Sequence, residues 1–286
     1  MTRSAFVAAG LAATCAPACA ARSDVDARIA RAVAASSGTV GVWARKLDAP
    51  APIVYNPDVV FPTASISKVL ILLSLFQLSE HNPAIFERRI TLKLSDFVGG
   101  SEVLDSYEPG ASLTVAALAR AMIDQSDNTA SNVLIDLLGF DRIAATIHGA
   151  DLKHTQLKRH FMDVNAVVGH SENLTTPRDI GSLLYQIERG SHEGVHTVAS
   201  SASCRKMIDI LLRQEDRDKI ARGLPKGVPL ANKTGEIDGV RNDVGIIDPF
   251  GESPYVLAVL TKDLDDFSLG NIAIRRIATA VHGALY

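Results

Sequence analysis

One dense apolar run limits what this chain can fold into. Residues 69–76 read Val-Leu-Ile-Leu-Leu-Ser-Leu-Phe, and neither Gly nor Pro interrupts the sequence before Leu78. A helix that is apolar on nearly all sides is buried on nearly all sides. The run therefore predicts a central helix around which the rest of the chain packs.

Two hydroxyls and an amine precede this run, in what would be the first turn of the helix. If the helix begins near Ser65, then Ser65 and Lys68 share one face at the positive end of the helix dipole. Such a pair can act as nucleophile and base if burial or a second cation lowers the pKa of the lysine. The alternative is that Ser65 caps the helix and Lys68 extends to water.

Charge and composition exclude several classes of function. The chain has 286 residues, enough for one large domain or two lobes, and a net charge of -3. Lys and Arg are scattered, with no basic run longer than a pair, so we expect no nucleic acid partner. After the first 21 residues, no segment is apolar for long enough to predict a transmembrane helix.

The first 20 residues have the three parts of a secretory signal peptide. Arg3 precedes an uncharged stretch, residues 4–21, which contains the small-residue triplet Ala-Cys-Ala at 18–20. We predict cleavage at the end of this triplet and export to the periplasm or the extracellular space. Cys15 or Cys19 offers the alternative of a lipid anchor.

The order of predicted elements indicates a mixed α/β (α+β) fold. Helices are predicted at 24–35, from 65 onward, at 114–124, 129–138, 177–190 and 203–213 and from 267 to the C terminus. Strands are predicted at 39–47, 53–56, 229–236, 240–248 and 255–262, with Gly41 as a candidate bulge. We therefore predict one antiparallel sheet, formed by both chain termini and flanked by helices, with an inserted all-helical lobe. The sheet lobe would cover residues 24–60 and 214–286, and the helical lobe 61–213.

Two tripeptides stand where a loop and a strand are predicted. Ser126-Asp127-Asn128 lies between two helices, and Lys233-Thr234-Gly235 lies in the first of the late strands. With Ser65-x-x-Lys68 before them, in this order, they make the chain resemble the penicillin-recognising serine hydrolases, most closely the class A β-lactamases. The resemblance covers nearly all of the chain after the signal peptide.

This resemblance implies an enzyme that opens β-lactams or related acyl compounds through an acyl-serine intermediate. The implied roles are nucleophile for Ser65, base for Lys68, proton transfer to the leaving nitrogen for Ser126, substrate amide binding for Asn128, and carboxylate binding for Lys233 and Thr234. The N–H groups of Ser65 and Glu236 would form an oxyanion hole, with Gly235 letting the substrate lie against the strand. Lys233 would also supply the second cation that lowers the pKa of Lys68.

The long segment between residues 149 and 175 has no helical pattern and is the natural place for an active-site loop. In class A β-lactamases this loop carries a Glu that activates the deacylating water, within a pattern resembling Arg-x-Glu-x-x-x-Asn. Here Arg159 and Asn165 frame the matching stretch, but Phe161 stands where the Glu is expected. An aromatic ring cannot take a proton from water, so release of the acyl group needs another base or is slow.

Candidate replacements exist for this Glu and for one further family residue. Asp163 and Glu172 are the carboxylates available on the loop. The position that often carries a carboxylate-binding Arg corresponds to Val244, and Arg241 is the residue that would reach the same site instead.

A competing motif, His192-Glu193-Gly194-Val195-His196, matches the His-Glu-x-x-His pattern of zinc peptidases. It follows the helix stop predicted at Gly190 and contains a glycine, so we expect a loop there and no metal site. We also expect no cofactor and a monomer that takes a small β-lactam or acyl-peptide substrate. Three functions remain open: a β-lactamase, a D-alanyl-D-alanine peptidase or esterase, and a penicillin-binding protein that releases its acyl group slowly.

Overall fold

A computed structural model describes residues 16–169 and 171–286, with side chains from residue 22 onward. The predicted signal peptide and its two cysteines lie outside the residues whose side chains are described. The signal peptide and the alternative lipid anchor therefore stay predictions. The helices are α1 Ala16–Ala34, α2 Lys68–His81, α3 Val115–Asp124, α4 Asn128–Leu138, α5 Phe140–Gly149, α6 Val164–Val168, α7 Pro177–Gly190, α8 Ser201–Leu211, α9 Ile220–Gly223 and α10 Phe267–Leu285. The strands are β1 Thr39–Lys46, β2 Ile53–Tyr55, β3 Phe61–Pro62, β4 Arg89–Thr91, β5 Ser112–Thr114, β6 Leu174–Thr175, β7 Leu230–Ile237, β8 Val240–Ile247 and β9 Tyr255–Lys262.

One antiparallel sheet joins the two ends of the chain, which confirms the predicted fold class. Its strand order is β2-β1-β9-β8-β7, so the N-terminal β1 pairs with the C-terminal β9. Alternate residues of β9 enter two different cores. Leu257 and Val259 pack with α1 and α10, whereas Ala258 and Leu260 pack with α2 and α7. Helices therefore cover both faces of the sheet.

The bulge predicted at Gly41 is wrong. Gly41 pairs with Leu260 in an uninterrupted register along β1 and β9. The glycine is needed for packing: a methyl group at Gly41 would lie 2.5 Å from Pro177 Cγ and 2.7 Å from the ring of Phe61. Its missing side chain lets α7 and β3 lie against the sheet.

The central helix forms as predicted but begins one turn later. Residues Ala64–Ser67 form a 3₁₀ turn, and α2 begins at Lys68. Ala64, which precedes the candidate nucleophile, has a φ of 46°, a left-handed conformation that an α-helix cannot contain. Every residue from Lys68 to Phe76 is buried, so the helix is fixed on all sides by its neighbours.

The predicted helices after α2 begin within about two residues of their expected starts, whereas α1, predicted from residue 24, begins at Ala16. Thr114, Asp127 and Thr176 accept backbone N–H groups at the beginnings of α3, α4 and α7. Helix α5 was not predicted, because it begins directly after Gly139, where the pattern of α4 ends. In the part of the chain that the structure describes, no helix meets the length and hydropathy needed to cross a membrane. The division into a sheet lobe and a helical lobe stays a prediction.

Candidate active site

Strand β7 passes directly against the turn that carries Ser65. A methyl group at Gly235 would lie 2.9 Å from the backbone nitrogen of Ser65 and 2.9 Å from the carbonyl oxygen of Thr63. Only glycine allows this approach. Asn242 of β8 holds the same turn by donating its Nδ2 to the carbonyl of Pro62 at 2.9 Å. The tripeptide Lys233-Thr234-Gly235 is thus placed beside the candidate nucleophile.

The loop between α3 and α4 is held in place by Asp127, which is fully buried. Its two carboxylate oxygens accept the N–H groups of Ala130 and Leu104, each at 2.8 Å. Ser126 has a φ of 60°, so a second non-glycine residue of the site is held in the left-handed region. Such conformations persist only where the surroundings enforce them, and they cluster at functional sites.

Lys68 lies at the centre of these loops, with its side chain fully buried. Its Nζ donates to the Ser126 carbonyl at 2.5 Å and to Asn128 Oδ1 at 2.8 Å, and it lies 3.1 Å from Ser126 Oγ. Burial, and next the charge of Lys233, hold the pKa of Lys68 well below its ordinary value, against a smaller opposing effect of Asp127. The lowered pKa favours the neutral amine, which is the form that a base requires.

Asn128 is engaged by the protein on both ends of its side chain. Its Oδ1 accepts from Lys68, and its Nδ2 donates to the carbonyl of Gly99 at 2.9 Å. These two bonds connect Asn128 to Lys68 and to the loop between β4 and β5. The amide nitrogen has two N–H donors, so the second one remains for the oxygen of a substrate amide.

Lys233 is a second buried lysine, and its Nζ donates to the carbonyl of Thr234 at 2.9 Å. Burial lowers the pKa of Lys233 to about 7, against the opposing charge of Asp243. At neutral pH this amine is therefore present in both its charged and its neutral form. The thermodynamic cost of burying it should be visible in the stability of the protein.

The pH dependence of unfolding tests this burial. Because the folded pKa of about 7 lies below the ordinary value of 10.5, the unfolded chain binds more protons between those values, and the free energy of unfolding rises with pH. We expect wild type to gain about 3–4 kcal/mol relative to Lys233→Met between about pH 7 and pH 10, by urea denaturation. Lys206→Met on the exposed side of α8 is the control. A difference from Lys233→Met that stays constant with pH would contradict the burial.

The loop after α5 places the Phe161 ring against the amine of Lys68. The Nζ of Lys68 is 4.5 Å from the ring centroid, and Phe161 is buried. The backbone of Phe161 is fixed by Asn132, which accepts its N–H at 2.8 Å and donates to its carbonyl at 3.1 Å. Residue 161 is therefore held at the active site with its side chain directed towards the candidate base.

The two loop carboxylates both make bonds within the loop. Asp163 caps α6 by accepting the N–H of Ala166 at 3.0 Å. Glu172 pairs with Arg159 at 2.7 Å and accepts the N–H of Asn173 at 2.7 Å. Both line a cavity of about 540 Å³ that also contains Ser65.

Removal of the Glu172 charge should destabilise the fold. The side chains of Arg159 and Glu172 are only 11% and 22% exposed, so Glu172→Gln leaves a largely buried guanidinium without its partner. We expect the free energy of unfolding to fall by about 1–3 kcal/mol, measured by urea denaturation. Asp163→Asn is the matched control, because asparagine caps helices as well as aspartate. Unchanged stability with slower acyl release would instead assign Glu172 to deacylation.

Val244 and Arg241 were considered for the position of a carboxylate-binding Arg, and neither is among the described residues that line the cavities at Ser65. Val244 is fully buried in the core. Arg241 donates to the carbonyls of Ile237 and Val240, and its guanidinium lies 4.1 Å from the ring centroid of Phe267.

Lys219 is a cation at the site that sequence reasoning missed. It is buried, and its Nζ lies 2.5 Å from Asp216 and 2.6 Å from Glu236. Burial is the largest effect on the pKa of Lys219 and lowers it, but hydrogen bonds to these two carboxylates outweigh it and raise the pKa. A spacing of three from Asp216 is the only sequence signal, because Glu236 is contributed by β7, which is distant along the chain.

The histidine motif considered for zinc forms a turn. His192 to Gly194 follow the end of α7, and Gly194 has a φ of 78°, so the two histidines do not share a helix. Within residues 16–169 and 171–286, no group of three or more potential ligands is placed to hold a metal ion.

Comparison with known proteins matches this arrangement. A model of the beta-lactamase enzyme family matches residues 24–285. The beta-lactamase CTX-M-8 of Citrobacter amalonaticus is 29% identical over 245 residues, covering 85% of this chain and 82% of the relative. The crystal structure of a beta-lactamase from Sphaerobacter thermophilus superposes with a TM-score of 0.82 at 32% identity, covering 92% of this chain and 97% of the other. The structure of a PBP-A variant, an acyl-enzyme complex with penicillin G, superposes with a TM-score of 0.80 at 28% identity, covering 93% of this chain and 96% of the other.

Proposed function

Because the chain belongs to the beta-lactamase enzyme family and is a class A-like serine hydrolase, we propose that it opens β-lactams or related acyl compounds through an acyl-Ser65 intermediate that it releases slowly. The observation that carries the proposal is the surroundings of Lys68. A buried amine with a lowered pKa lies three residues from a serine and within 3.1 Å of a second hydroxyl. This arrangement supports nucleophilic catalysis by Ser65.

Acylation follows from these contacts. Neutral Lys68 takes the proton of Ser65, and the serine oxygen forms a bond to the substrate carbonyl carbon. The N–H groups of Ser65 and Glu236 stabilise the resulting oxyanion. As the carbon–nitrogen bond breaks, Ser126 gives its proton to the leaving nitrogen and receives the proton held by Lys68, which returns to its neutral form. The step therefore needs no external acid or base.

Deacylation lacks an evident base. Water must lose a proton to attack the acyl-serine ester, and Phe161 offers no acceptor at the position held beside Lys68. Glu172 and Asp163 are engaged with Arg159 and the α6 backbone. We therefore place the slow step at release of the acyl group.

A second candidate function is favoured by the same feature. A penicillin-binding protein, or a D-alanyl-D-alanine peptidase or esterase, does not require fast hydrolysis of a β-lactam acyl-enzyme. The likeness to PBP-A supports this alternative, because a variant of PBP-A forms an acyl-enzyme complex with penicillin G.

One experiment separates the two candidates. The purified protein is mixed with a chromogenic cephalosporin and, separately, with labelled penicillin, and both product release and protein mass are followed. Repeated turnovers, with a mass increase that decays slowly, support a β-lactamase that releases its acyl group slowly, whereas one equivalent of product and a mass increase that persists without turnover support a penicillin-binding protein. No reaction with either compound would shift the proposal to peptides or esters.

The cellular setting is proposed from the sequence alone. The pattern of residues 1–20 supports export and removal of a signal peptide. We propose that the exported protein works as a monomer in the periplasm or outside the cell.

A further inference from the structure

Lys219 is a buried cation in a segment that is bonded to both of the strands beside it. Its side chain is fully enclosed, and its Nζ lies 2.5 Å from the carboxylate of Asp216 in the same segment. The next residue, Ile220, donates its N–H to Asp243 of β8 at 2.9 Å. Asp243 also accepts the side-chain amide of Asn232 of β7 at 2.9 Å. These bonds fix the amine of Lys219 relative to β7 and β8.

The carboxylate of Glu236 lies between two cations. One of its oxygens is 2.6 Å from Lys219 Nζ, and the other is 3.8 Å from Nε of Arg241, which is paired with Glu236 across β7 and β8. The Glu236 side chain is 45% exposed, but those of Lys219 and Arg241 are only 0% and 14% exposed. Partners that are already fixed lose little side-chain entropy when they bind a carboxylate, in contrast to two exposed side chains.

The backbone of Glu236 lies at a weakly restrained point of the sheet. Strand β7 is at the edge of the sheet, so β8 restrains it on one side only. Residue 236 is one position before the end of β7 at Ile237, and strand ends open more easily than strand interiors. The preceding residue, Gly235, lies against the turn of Ser65. The two ion pairs of the Glu236 side chain therefore restrain the strand where its own ladder restrains it least.

Lys219 reaches the site only through its partners. Glu236 lines both cavities beside Ser65, whereas Lys219 is not among the described residues that line either of them. Its amine is bonded to the carboxylates of Asp216 and Glu236. A substrate would therefore contact β7 and the Glu236 carboxylate, and Lys219 would influence it by what it holds in place.

We propose that Lys219 is a positioning residue for the oxyanion hole: through the carboxylate of Glu236, it fixes the direction of the Glu236 N–H towards the reacting carbonyl. This inference rests on the proposed function, because the oxyanion forms only when Ser65 attacks a substrate. A preorganised donor does not have to be oriented during the reaction, so the benefit appears in the acylation rate. Binding of a substrate carboxylate stays with Lys233 and Thr234, as the family resemblance implies.

Penicillin G and its methyl ester test the proposal, because they differ by one negative charge. Acylation in the first turnover is followed by quenched flow and intact mass, which gives the maximal rate constant and the concentration for half of it. Complete loss of an oxyanion donor lowers the rate about 10²–10³-fold, and a misdirected donor costs less. We expect Lys219→Met to lower the maximal rate constant about tenfold for both compounds, with the half-maximal concentration unchanged.

A second variant tests whether Lys219 acts through Glu236. Glu236→Gln keeps the backbone donor but removes the charge that Lys219 holds, so it should slow acylation to a similar extent. In the Glu236→Gln background, Lys219→Met should then lower the rate by less than about twofold. Arg222→Met is the control, because it removes an exposed ion pair with Asp218 in the neighbouring helix α9. Its acylation rate should equal that of wild type.

The folded fraction of each variant is measured by urea denaturation, so that lost stability is not counted as a lost rate. Folded Lys219→Met that acylates at the wild-type rate would show a structural role only and would overturn the proposal. A loss confined to penicillin G, or one that persists undiminished in the Glu236→Gln background, would overturn it as well. Each of these results leaves acylation of Ser65 in place. Labelling that persists in Ser65→Ala, or wild-type protein that neither compound labels, would instead defeat the proposed function.

Discussion

Ser65→Ala is expected to abolish covalent labelling by penicillin and all chromophore release. Removal of the nucleophile from a serine hydrolase lowers the catalysed rate by about 10⁶-fold. Within the assay the loss should therefore be complete, although Lys68 and Ser126 keep their positions. The measurement is the intact mass of the protein after incubation with labelled penicillin.

Ser67→Ala is a matched control in the same 3₁₀ turn. Ser67 is buried, and its Oγ donates to the carbonyl of Ala64 at 3.0 Å. Its replacement removes one buried hydrogen bond, worth about 1 kcal/mol of stability, and no group that contacts substrate. We expect full labelling of Ser67→Ala. Labelling that survives in Ser65→Ala and disappears in Ser67→Ala would show that Ser67, and not Ser65, is the nucleophile.

Phe161→Glu is expected to convert slow acyl release into turnover. The backbone of residue 161 is fixed by Asn132, and its side chain lies against Lys68, so a carboxylate there would face the site of the acyl-serine ester. General base catalysis contributes about 10²–10⁴-fold to such steps. We expect the release rate, measured as steady-state cephalosporin turnover, to rise at least about 100-fold.

Phe161→Gln separates the chemistry from the change in shape. Glutamine has the size and polarity of glutamate and equally removes the ring from Lys68, but it cannot accept a proton from water at neutral pH. Its release rate should stay near that of wild type. If both variants release the acyl group equally fast, then the ring blocks access of water, and the missing base is not the cause of slow release.

The sequence was sufficient for the five strands and for one antiparallel sheet formed by both termini, because the strand patterns are local; the order of the strands in the sheet was not predicted. Strands β7, β8 and β9 are apolar runs with turn residues between them, and α3 and α7 begin within one residue of their predicted starts. The packing role of Gly41 was not visible, since Phe61 and Pro177, which contact it, are brought there by the tertiary fold. A glycine within a strand is equally typical of a bulge.

The electrostatics of the site were predicted in part. The pattern required that something lower the pKa of Lys68, and it named Lys233, whereas burial is the larger cause. For Lys219 the pattern offered only its spacing of three from Asp216, since the second partner, Glu236, comes from the distant strand β7. Long-range ion pairs are set by the fold, and a spacing rule sees only neighbours along the chain.

The most direct test of the account is the mass and position of the acyl group over time. Wild-type protein is mixed with an equal amount of penicillin G, quenched at intervals, digested and sequenced by tandem mass spectrometry. We expect one adduct, located at Ser65, which forms early and persists after free penicillin has been removed. An adduct on any other residue, or an adduct that disappears as fast as it forms, would contradict it.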